Sequence, residues 1–332
     1  MGAVTETAVS PVTGIPYPTP ASPKHPKIRL VPDPRRDAAT QVFDLDSDYD
    51  SFLYLGVVLA QCGLPYRDPG HLCGIYTRNN GSVALSLNRG SLLNPFTEQF
   101  EMQGYPYGIR PRMLLLHFCT EATRRKSPEI YLGDTFNEFM RLGLGIQPTG
   151  GDRGTIGPMK DQLKRLVAAH MRFYFRSGEH RMTMVNPSPF FEKFDFWFPT
   201  TIHEAGRWDG MGTVHSEIYK RLDNGCMPLD RHAVLRLLKL QSPMIVDIYT
   251  WLAYRNGAWK RKELRSNTIS RHALQIQFGP EYSRERDFWR DFQNALKAVK
   301  VEYPAAKFDL SGDGLVLHKS PPPVTKTKII VP

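Results

Sequence analysis

The sequence predicts a mixed α+β protein made of two tandem winged helix-turn-helix domains, and three observations favour that fold. Apolar residues recur with helical periodicity in both halves of the chain. In each half a short β-type segment lies between predicted helices. In each half the last predicted helix is followed by two segments that are typical of a β-hairpin. Because a winged helix-turn-helix domain has this order of elements, we expect one domain at 51–200 and a second at 201–320.

In the first half, Pro111 suits the first turn of a helix, and Asp134 is the expected N-cap of a shorter one. Lys160 and Lys164 lie on the outward side of the next helix, opposite its apolar residues. The predicted elements are a buried strand or short helix at 52–60, helix 109–125, strand 129–133, helix 134–144, helix 155–169, strands 170–176 and 181–185, and a buried strand at 191–198.

In the second half, Asn256 and Gly257 are expected to end a helix, and Ser283 is expected to cap the last one. Trp251 and Trp289 are expected in the core. The predicted elements are helix 242–256, strand 267–269, helix 270–278, helix 283–300 and a hairpin of 307–310 with 315–318. Residues 1–50 are rich in Pro, Thr, Ser and Ala, which predicts a disordered arm, and 321–332 are expected to be a flexible tail.

The last helix separates its side chains onto two faces. Its apolar residues recur at steps of four, four and three, so they form one stripe that faces a core: Phe288, Phe292, Leu296 and Val299. A second stripe of cationic and amide side chains recurs on the opposite side: Arg286, Arg290, Gln293, Lys297 and Lys300. This helix and the hairpin after it would form the second half of a winged helix-turn-helix domain.

Charge and composition narrow the class of partner. The formal net charge is +10, and residues 251–300 alone hold eleven Lys and Arg against five Asp and Glu, which favours a polyanion. No apolar run approaches the length of a membrane span, nothing at the start resembles a signal peptide, and the four cysteines lack metal-site spacing. We therefore expect a reduced, cytoplasmic bacterial protein without a membrane segment.

The sequence lacks the motifs of common enzyme classes. It has no GxxxxGK[ST], no HExxH and no GxSxG, and the TGGDRG turn lacks the lysine that a phosphate-binding loop requires. The acidic segment 44–50 lacks the glycine and the final glutamate of a calcium loop, so we interpret it as a solvated linker. We expect no catalytic residue, no metal and no cofactor.

Several separated motifs resemble those of RepA-type plasmid replication initiator proteins. PYGIRPRMLLLHFCTEATRR, KSPEIYLG, NEFMRLGL and PTGGDRG occur in order within 106–166, and LPYRDPG, RNNGSVALSL and SRHALQIQFG extend the likeness over roughly 52–320. The chain departs from that pattern at Gly157-Pro158, where the helix is expected to start late. The resemblance implies an initiator that binds directly repeated double-stranded sites (iterons) at a plasmid origin, helps to open A·T-rich DNA and recruits host replication initiator or helicase-loading proteins. It also implies a homodimer, in which the first domain serves dimerisation and accessory DNA contact and the second makes the principal DNA contacts.

The candidate DNA-binding residues are Arg153, Lys160, Lys164, Arg165, Arg172, Arg271, Arg284, Arg286, Arg290, Gln293, Asn294, Lys297, Lys300, Lys307 and Lys319. Arginine suits guanine and glutamine suits adenine in the major groove, whereas Arg284 and Lys300 are expected at phosphates. The alternative is a solvated helix face on which Arg286 and Arg290 pair with Asp287 and Asp291. In the first half DNA contact and plain solvation are equally open. A second function also remains open, a winged-helix transcriptional repressor that regulates its own promoter.

Overall fold

The computed structural model describes residues 51–177, 181–186, 189–195, 210–260 and 268–324, all of which belong to one compact unit, Asp46–Pro332. The predicted arm, most of the tail, the tip of the 170–185 hairpin and the end of the 191–198 strand lie outside the described residues. The division into two domains stays a prediction. The mixed helix-and-sheet class is confirmed.

The first half follows the predicted order, with additional strands before the long helix. Helix α2 has the predicted bounds, and the predicted segment 52–60 divides into a strand and a short helix. The elements are β1 (Phe52–Gly56), α1 (Val57–Gln61), β2 (Tyr76–Asn79), β3 (Val83–Asn88), β4 (Ser91–Asn94), β5 (Gln99–Met102), α2 (Ile109–Arg125), β6 (Glu129–Tyr131), α3 (Phe136–Glu138) with a π-helical turn (Phe139–Gly143), α4 (Ile156–Ala168), β7 (His170–Arg176), β8 (Met182–Val185) and β9 (Phe191–Phe194).

The second half contains elements that the sequence patterns did not predict, from β10 to α6, followed by the predicted helices and hairpin. These elements are β10 (Met211–Val214), α5 (Ser216–Gly225), β11 (Cys226–Asp230), α6 (Arg231–Lys239), α7 (Pro243–Lys260), β12 (Thr268–Ser270), α8 (Arg271–Phe278), α9 (Glu285–Glu302), β13 (Lys307–Ser311) and β14 (Gly314–His318).

Two predicted helix starts are wrong by one residue. Thr135, not Asp134, caps α3: its hydroxyl accepts from Glu138 N (3.0 Å), and Glu138 Oε2 accepts from Asp134 N (2.9 Å). This pair differs from a capping box in that the Glu138 carboxylate accepts from the residue before the N-cap, but it likewise satisfies two backbone donors at once. At α9 the N-cap is Arg284 rather than Ser283.

The predicted end of α7 is also wrong. The helix continues through Asn256 and Gly257, because the Asn256 amide donates to the buried hydroxyl of Tyr303 (2.8 Å) instead of capping the helix. A tertiary hydrogen bond between buried groups thus overrides a weak local preference. Conversely, Pro158 lies in the first turn of α4, where a missing N–H costs no helical hydrogen bond.

The sheets distinguish the two halves. In the second half β12 pairs with β14 of the hairpin, which gives the order β12-β14-β13. In the first half β6 pairs with β10 in the order β6-β10-β9, whereas β7 and β8 join a separate sheet, β2-β3-β7-β8. The halves are also joined directly, because β1 pairs with β11 along its whole length.

The core is aromatic in both halves. Trp251 and Trp289 are buried, as predicted, and Trp251 lies 5.3 Å from Phe278 between ring centroids. Fully buried rings of this size each stabilise a fold by roughly 1.5–3 kcal/mol. Within the described ranges no helix is long and apolar enough to cross a membrane, no group of three potential metal ligands occurs, and the four cysteines are unpaired.

Candidate nucleic-acid interface

Helix α9 is fixed by its apolar face. The four predicted core residues of this face are all at most 1% exposed, and the helix packs on α6, α7 and α8. Phe288 and Phe292 lie 5.4 Å apart between ring centroids, and Gly279, after α8, allows Phe288 to approach closely, since a Cβ there would lie 2.2 Å from its ring. The rotation of α9 about its axis is therefore set by packing, and the direction of its opposite face follows.

The opposite face of α9 is directed to solvent. Arg286, Arg290, Asn294 and Lys297 are exposed, and Gln293 is half-buried. In the part of the chain that the structure describes, Arg286 and Lys297 have no ion-pair partner. A row of cationic and amide side chains thus extends for about three turns along one helix.

Acidic residues close in sequence lie beside this row of cations. Arg284 pairs with Asp287 (2.6 Å), and Arg290 contacts Asp287 (3.6 Å) and Asp291 (3.0 Å). The side chains of Arg284 and Arg290 nevertheless remain 68% and 64% exposed. Ion pairs this exposed contribute little to stability, so these arginines can exchange partners at little cost.

Asp291 is held by a second donor. The Tyr282 hydroxyl donates to Asp291 Oδ2 (3.1 Å), and burial together with the neighbouring Asp291 charge raises the pKa of Tyr282 to about 12. Arg67, exposed, acts on the same tyrosine electrostatically and so lies near the start of α9. Sequence patterns missed Arg67, because it comes from the LPYRDPG segment far away in the chain and belongs to no helix or strand.

The hairpin β13–β14 carries its cations at its base. Lys307 pairs with His318 in register, so Lys307 and Lys319 lie at the end opposite the turn, and both are exposed. The turn itself contains Asp313, and Asp309 on β13 contacts His318 Nε2 (2.6 Å). The hairpin is therefore not basic along its length. Only its base, where Lys307 and Lys319 lie, offers cations for contact with phosphates.

Two candidate cations of this half make internal contacts. Lys300 Nζ donates to the carbonyls of Pro304 (2.9 Å) and Ala306 (2.5 Å), which ties the end of α9 to the hairpin. The Arg271 guanidinium lies 4.7 Å from the centroid of the Trp289 ring, and its backbone N–H donates to Asp313 O (3.0 Å). Both side chains stabilise the arrangement of α8, α9 and the hairpin.

The candidates of the first half are more enclosed. Arg165, 19% exposed, pairs with Asp68 and Asp161 at 2.9 Å each. Lys160 Nζ lies 5.2 Å from the centroid of Phe136, and burial together with Lys164 lowers the pKa of Lys160. The remaining candidates differ in exposure, with Arg153 exposed and Lys164 and Arg172 half-buried.

Comparison with known proteins gives a family and several solved structures. The family model described as "Plasmid encoded RepA protein" matches residues 105–272. Two crystal structures of domains 2 and 3 of RctB, one a selenomethionine derivative, align at 10% identity with a TM-score of 0.41. They cover 73% and 76% of this chain and 83% of each RctB chain. The search of curated proteins gives no match.

Proposed function

Because this chain belongs to the family of plasmid-encoded RepA replication initiators, we propose that it binds repeated double-stranded sites at a plasmid origin through the exposed face of α9. The observation that carries the proposal is that face itself, a row of exposed Arg, Gln, Asn and Lys side chains on a helix fixed by its buried side. An α-helix with its side chains fits the major groove of B-DNA, which is roughly 12 Å wide.

The arrangement around α9 supports a winged helix-turn-helix mode of binding. Helices α7, α8 and α9 precede the hairpin, and β12 pairs with β14, as such a domain requires. In that mode the third helix enters the groove, and the wing and flanking cations contact phosphates. Lys307 and Lys319 at the base of the hairpin, and Arg67 beside the start of α9, are suited to phosphate contact.

The chemistry of the exposed row suits base reading. Arg286 and Arg290 offer two parallel donors to guanine, and Gln293 and Asn294 offer a donor and an acceptor to adenine. Asp287 and Asp291 orient Arg290 before binding, and because these ion pairs are exposed to water, a guanine edge can compete for the arginine. Each well-formed bidentate pair contributes roughly 1–3 kcal/mol of discrimination.

We extend the proposal to accessory DNA contact, opening of the origin and recruitment of host proteins. The first half assists DNA contact through Arg153 and Lys164, and the bound protein opens adjacent A·T-rich DNA and recruits host initiator or helicase-loading proteins. We also propose self-association as a homodimer. Because two copies related by a two-fold axis read half-sites in inverted order, the direct repeats themselves would be read by single copies.

Fluorescence anisotropy with duplex fragments that tile the plasmid's own origin region tests the DNA contact. We expect Arg290→Ala and Lys297→Ala each to weaken binding to the preferred fragment by roughly 1–3 kcal/mol, and Lys297→Ala to lower the slope of log affinity against log salt by about 0.9. Lys220→Ala, which removes an exposed lysine from α5, is the matched control and should leave the affinity unchanged. Unchanged affinity for both α9 variants would mean that α9 is not the reading helix.

Two further measurements separate initiation from repression. Permanganate reactivity of thymines in the origin reports DNA opening, and origin-dependent plasmid maintenance with and without the gene reports replication. An initiator is expected to produce both signals. A protein that binds its promoter but produces neither is a transcriptional repressor.

A further inference from the structure

The turn between α8 and α9 is bonded to the first half of the chain through one carboxylate. Glu281 Oε1 accepts from Tyr66 N (3.3 Å) and from the Tyr76 hydroxyl (3.2 Å). The same oxygen accepts from Arg78 Nη2 (3.4 Å). The three donors come from residues 203 to 215 positions earlier in the chain. Long-range bonds to a single oxygen therefore hold the turn that leads into α9.

Arg78 is a buried cation that depends on this carboxylate. Its side chain is 0% exposed, and its guanidinium lies 4.8 Å and 5.4 Å from the ring centroids of Tyr66 and Tyr76. Nη2 also donates to Leu64 O (3.3 Å). Within the described ranges, Glu281 is the only ion-pair partner of Arg78. Because a buried cation without a counter-ion is costly, the contact with Glu281 is strongly favoured.

The segment 64–70, which contains Tyr66, is also fixed from the side of the first half. Pro65 O accepts from Arg112 Nη1 (3.3 Å), and Asp68 Oδ2 accepts from Arg165 Nη1 (2.9 Å). Both arginines are mostly buried in the fold. This segment therefore has a defined position, although it belongs to no helix or strand.

A second contact joins the same two regions on the other side of the turn. The buried amide of Gln277, on the last turn of α8, donates to Gln61 O at the end of α1 (3.2 Å). Helix α8 also packs on β2, the strand that carries Tyr76 and Arg78. With bonds from both Gln277 and Glu281, the α8–α9 turn has a fixed orientation relative to the first half.

Arg67 is the cation that this link holds beside α9. It directly follows Tyr66, whose N–H donates to Glu281, and Glu281 directly precedes Tyr282. The Tyr282 hydroxyl in turn donates to Asp291 Oδ2 on α9 (3.1 Å). A short series of contacts thus connects the segment that carries Arg67 to the cationic face of α9.

The carboxylates around Arg67 are already paired with other arginines. Asp68, its neighbour in sequence, pairs with Arg165, and Glu281 pairs with Arg78. Arg67 itself is exposed and has no ion-pair partner in the part of the chain that the structure describes. Its charge therefore remains available to a phosphate, while the nearby acidic groups are compensated within the fold.

We propose that Glu281 is a positioning residue for DNA binding, which holds the segment 64–70 against the turn before α9 so that Arg67 and the cationic face of α9 contact the same stretch of duplex. The inference rests on the proposed function of α9. It gives a role in DNA binding to a carboxylate that does not itself contact the DNA. A cation on a pre-positioned segment binds more tightly than one on a loose segment, because less conformational entropy is lost on binding.

Salt titrations of binding to the preferred origin fragment test this role through a double-mutant cycle. In the wild-type background we expect Arg67→Ala to lower the slope of log affinity against log salt by about 0.9, because one phosphate contact is lost. In the Glu281→Ala background the same substitution at Arg67 should leave the slope unchanged, since the segment is no longer held beside the DNA. A glutamate with a purely structural role would affect stability but would leave the effect of Arg67→Ala intact.

Two further variants separate position from stability and from charge. Glu281→Ala leaves Arg78 buried without a counter-ion, whereas Arg78→Met combined with Glu281→Met removes both charges, an exchange that is often neutral for stability. This paired variant should also abolish the effect of Arg67→Ala, and circular dichroism checks that it is folded. Glu285→Ala removes an exposed carboxylate from the first turn of α9 and is the matched control, in which Arg67→Ala should keep its full effect.

An equal loss of slope from Arg67→Ala in the wild type and in both Glu281 backgrounds would overturn the inference. No loss of slope in the wild type would overturn it as well, since Arg67 would then contact no phosphate. Loss of the Arg67 effect in Glu285→Ala would attribute that effect to charge rather than to position. Failure of the proposed function has a different signature, which is unchanged affinity for Arg290→Ala and Lys297→Ala.

Discussion

Helices α4 and α9 carry basic residues with similar helical spacing but use them differently. On α4, Arg165 is held by two carboxylates, and Lys160 lies over Phe136. On α9, Arg286 and Lys297 extend into solvent. Each helix follows a strand and a shorter helix, so the order of elements alone does not distinguish their parts in DNA binding.

The difference lies in where the partner residues come from. Arg165 has one partner on α4 itself, Asp161, and a second, Asp68, 97 residues away. Both acidic partners of Arg290, in contrast, lie on α9, at Asp287 and Asp291. A distant partner fixes a cation within the tertiary fold. A partner on the same exposed helix leaves the cation available to a ligand, because the pair remains in water. We therefore expect a basic helix to be able to bind DNA when the fold leaves its cations without distant partners.

The largest expected effect is on stability, at an arginine whose carboxylate partner is largely buried and distant in sequence. Arg112 on α2 makes two bonds to Asp247 of α7 (2.7 and 2.8 Å) and donates to the carbonyls of Leu64 (2.6 Å) and Gly108 (2.7 Å). Arg112→Ala leaves Asp247, only 15% exposed, without its counter-ion, so we expect the free energy of unfolding to fall by about 3–5 kcal/mol.

Urea denaturation followed by circular dichroism measures this loss. Arg290→Ala, which removes an exposed arginine, is the control and should change stability by less than about 0.5 kcal/mol. If the two variants lose similar stability, cations with distant partners are no more structural than those on α9, and the contrast fails.

Local patterns in the sequence predicted α9 well, and long-range contacts account for what they missed. The spacing of Phe288, Phe292 and Leu296 identified both the helix and its buried face, since that spacing depends only on helical geometry. The pairing of Arg165 with Asp68 and the extension of α7 past Asn256 depend on residues far apart in the chain. Local periodicity in the sequence does not reveal such contacts. For this reason the sequence patterns identified the cations of the first half as DNA-binding candidates, although Arg165 has internal partners in the fold.

An intermediate effect is expected at Arg165. Burial alone would raise the pKa of Asp68, but the Gly70 N–H and Arg165 outweigh it, so this pKa lies below its usual value. Because the carboxyls that pair with Arg165 are partly exposed, we expect Arg165→Ala to lower stability by only about 1–2 kcal/mol. Origin-fragment affinity should stay at the wild-type value.

The pH dependence of Arg165→Ala has a defined sign. A depressed carboxyl pKa contributes stability above the unfolded value, near 4, and that contribution is lost as pH falls through the folded value. The stability difference between wild type and variant should therefore be full at neutral pH and shrink below about pH 4 in urea titrations. If the variant instead keeps its stability and loses DNA affinity as Lys297→Ala does, α4 is a reading helix as well.

The smallest expected effects are those of two lysines on α9, Lys300 and Lys297, which we expect to differ in role. Lys300 donates to Pro304 and Ala306 and lies 5.7 Å from the centroid of Phe308, whereas Lys297 is exposed and has no ion-pair partner among the described residues. Lys300→Ala should lower stability by about 0.5–1 kcal/mol and leave the salt slope of DNA binding unchanged. Lys297→Ala should do the opposite, with stability unchanged and the slope lower by about 0.9.

Lys300→Met serves as the control, because it keeps the aliphatic chain over Phe308 and removes only the ammonium donor. It should lose less stability than Lys300→Ala and match it in DNA affinity. A reduced salt slope for both Lys300 variants would show that this lysine reaches a phosphate, which requires it to leave the carbonyls of Pro304 and Ala306 on binding. In that case an internal contact in the free protein does not disqualify a cation from binding DNA, and the enclosed cations of α4 would have to be tested in the same way.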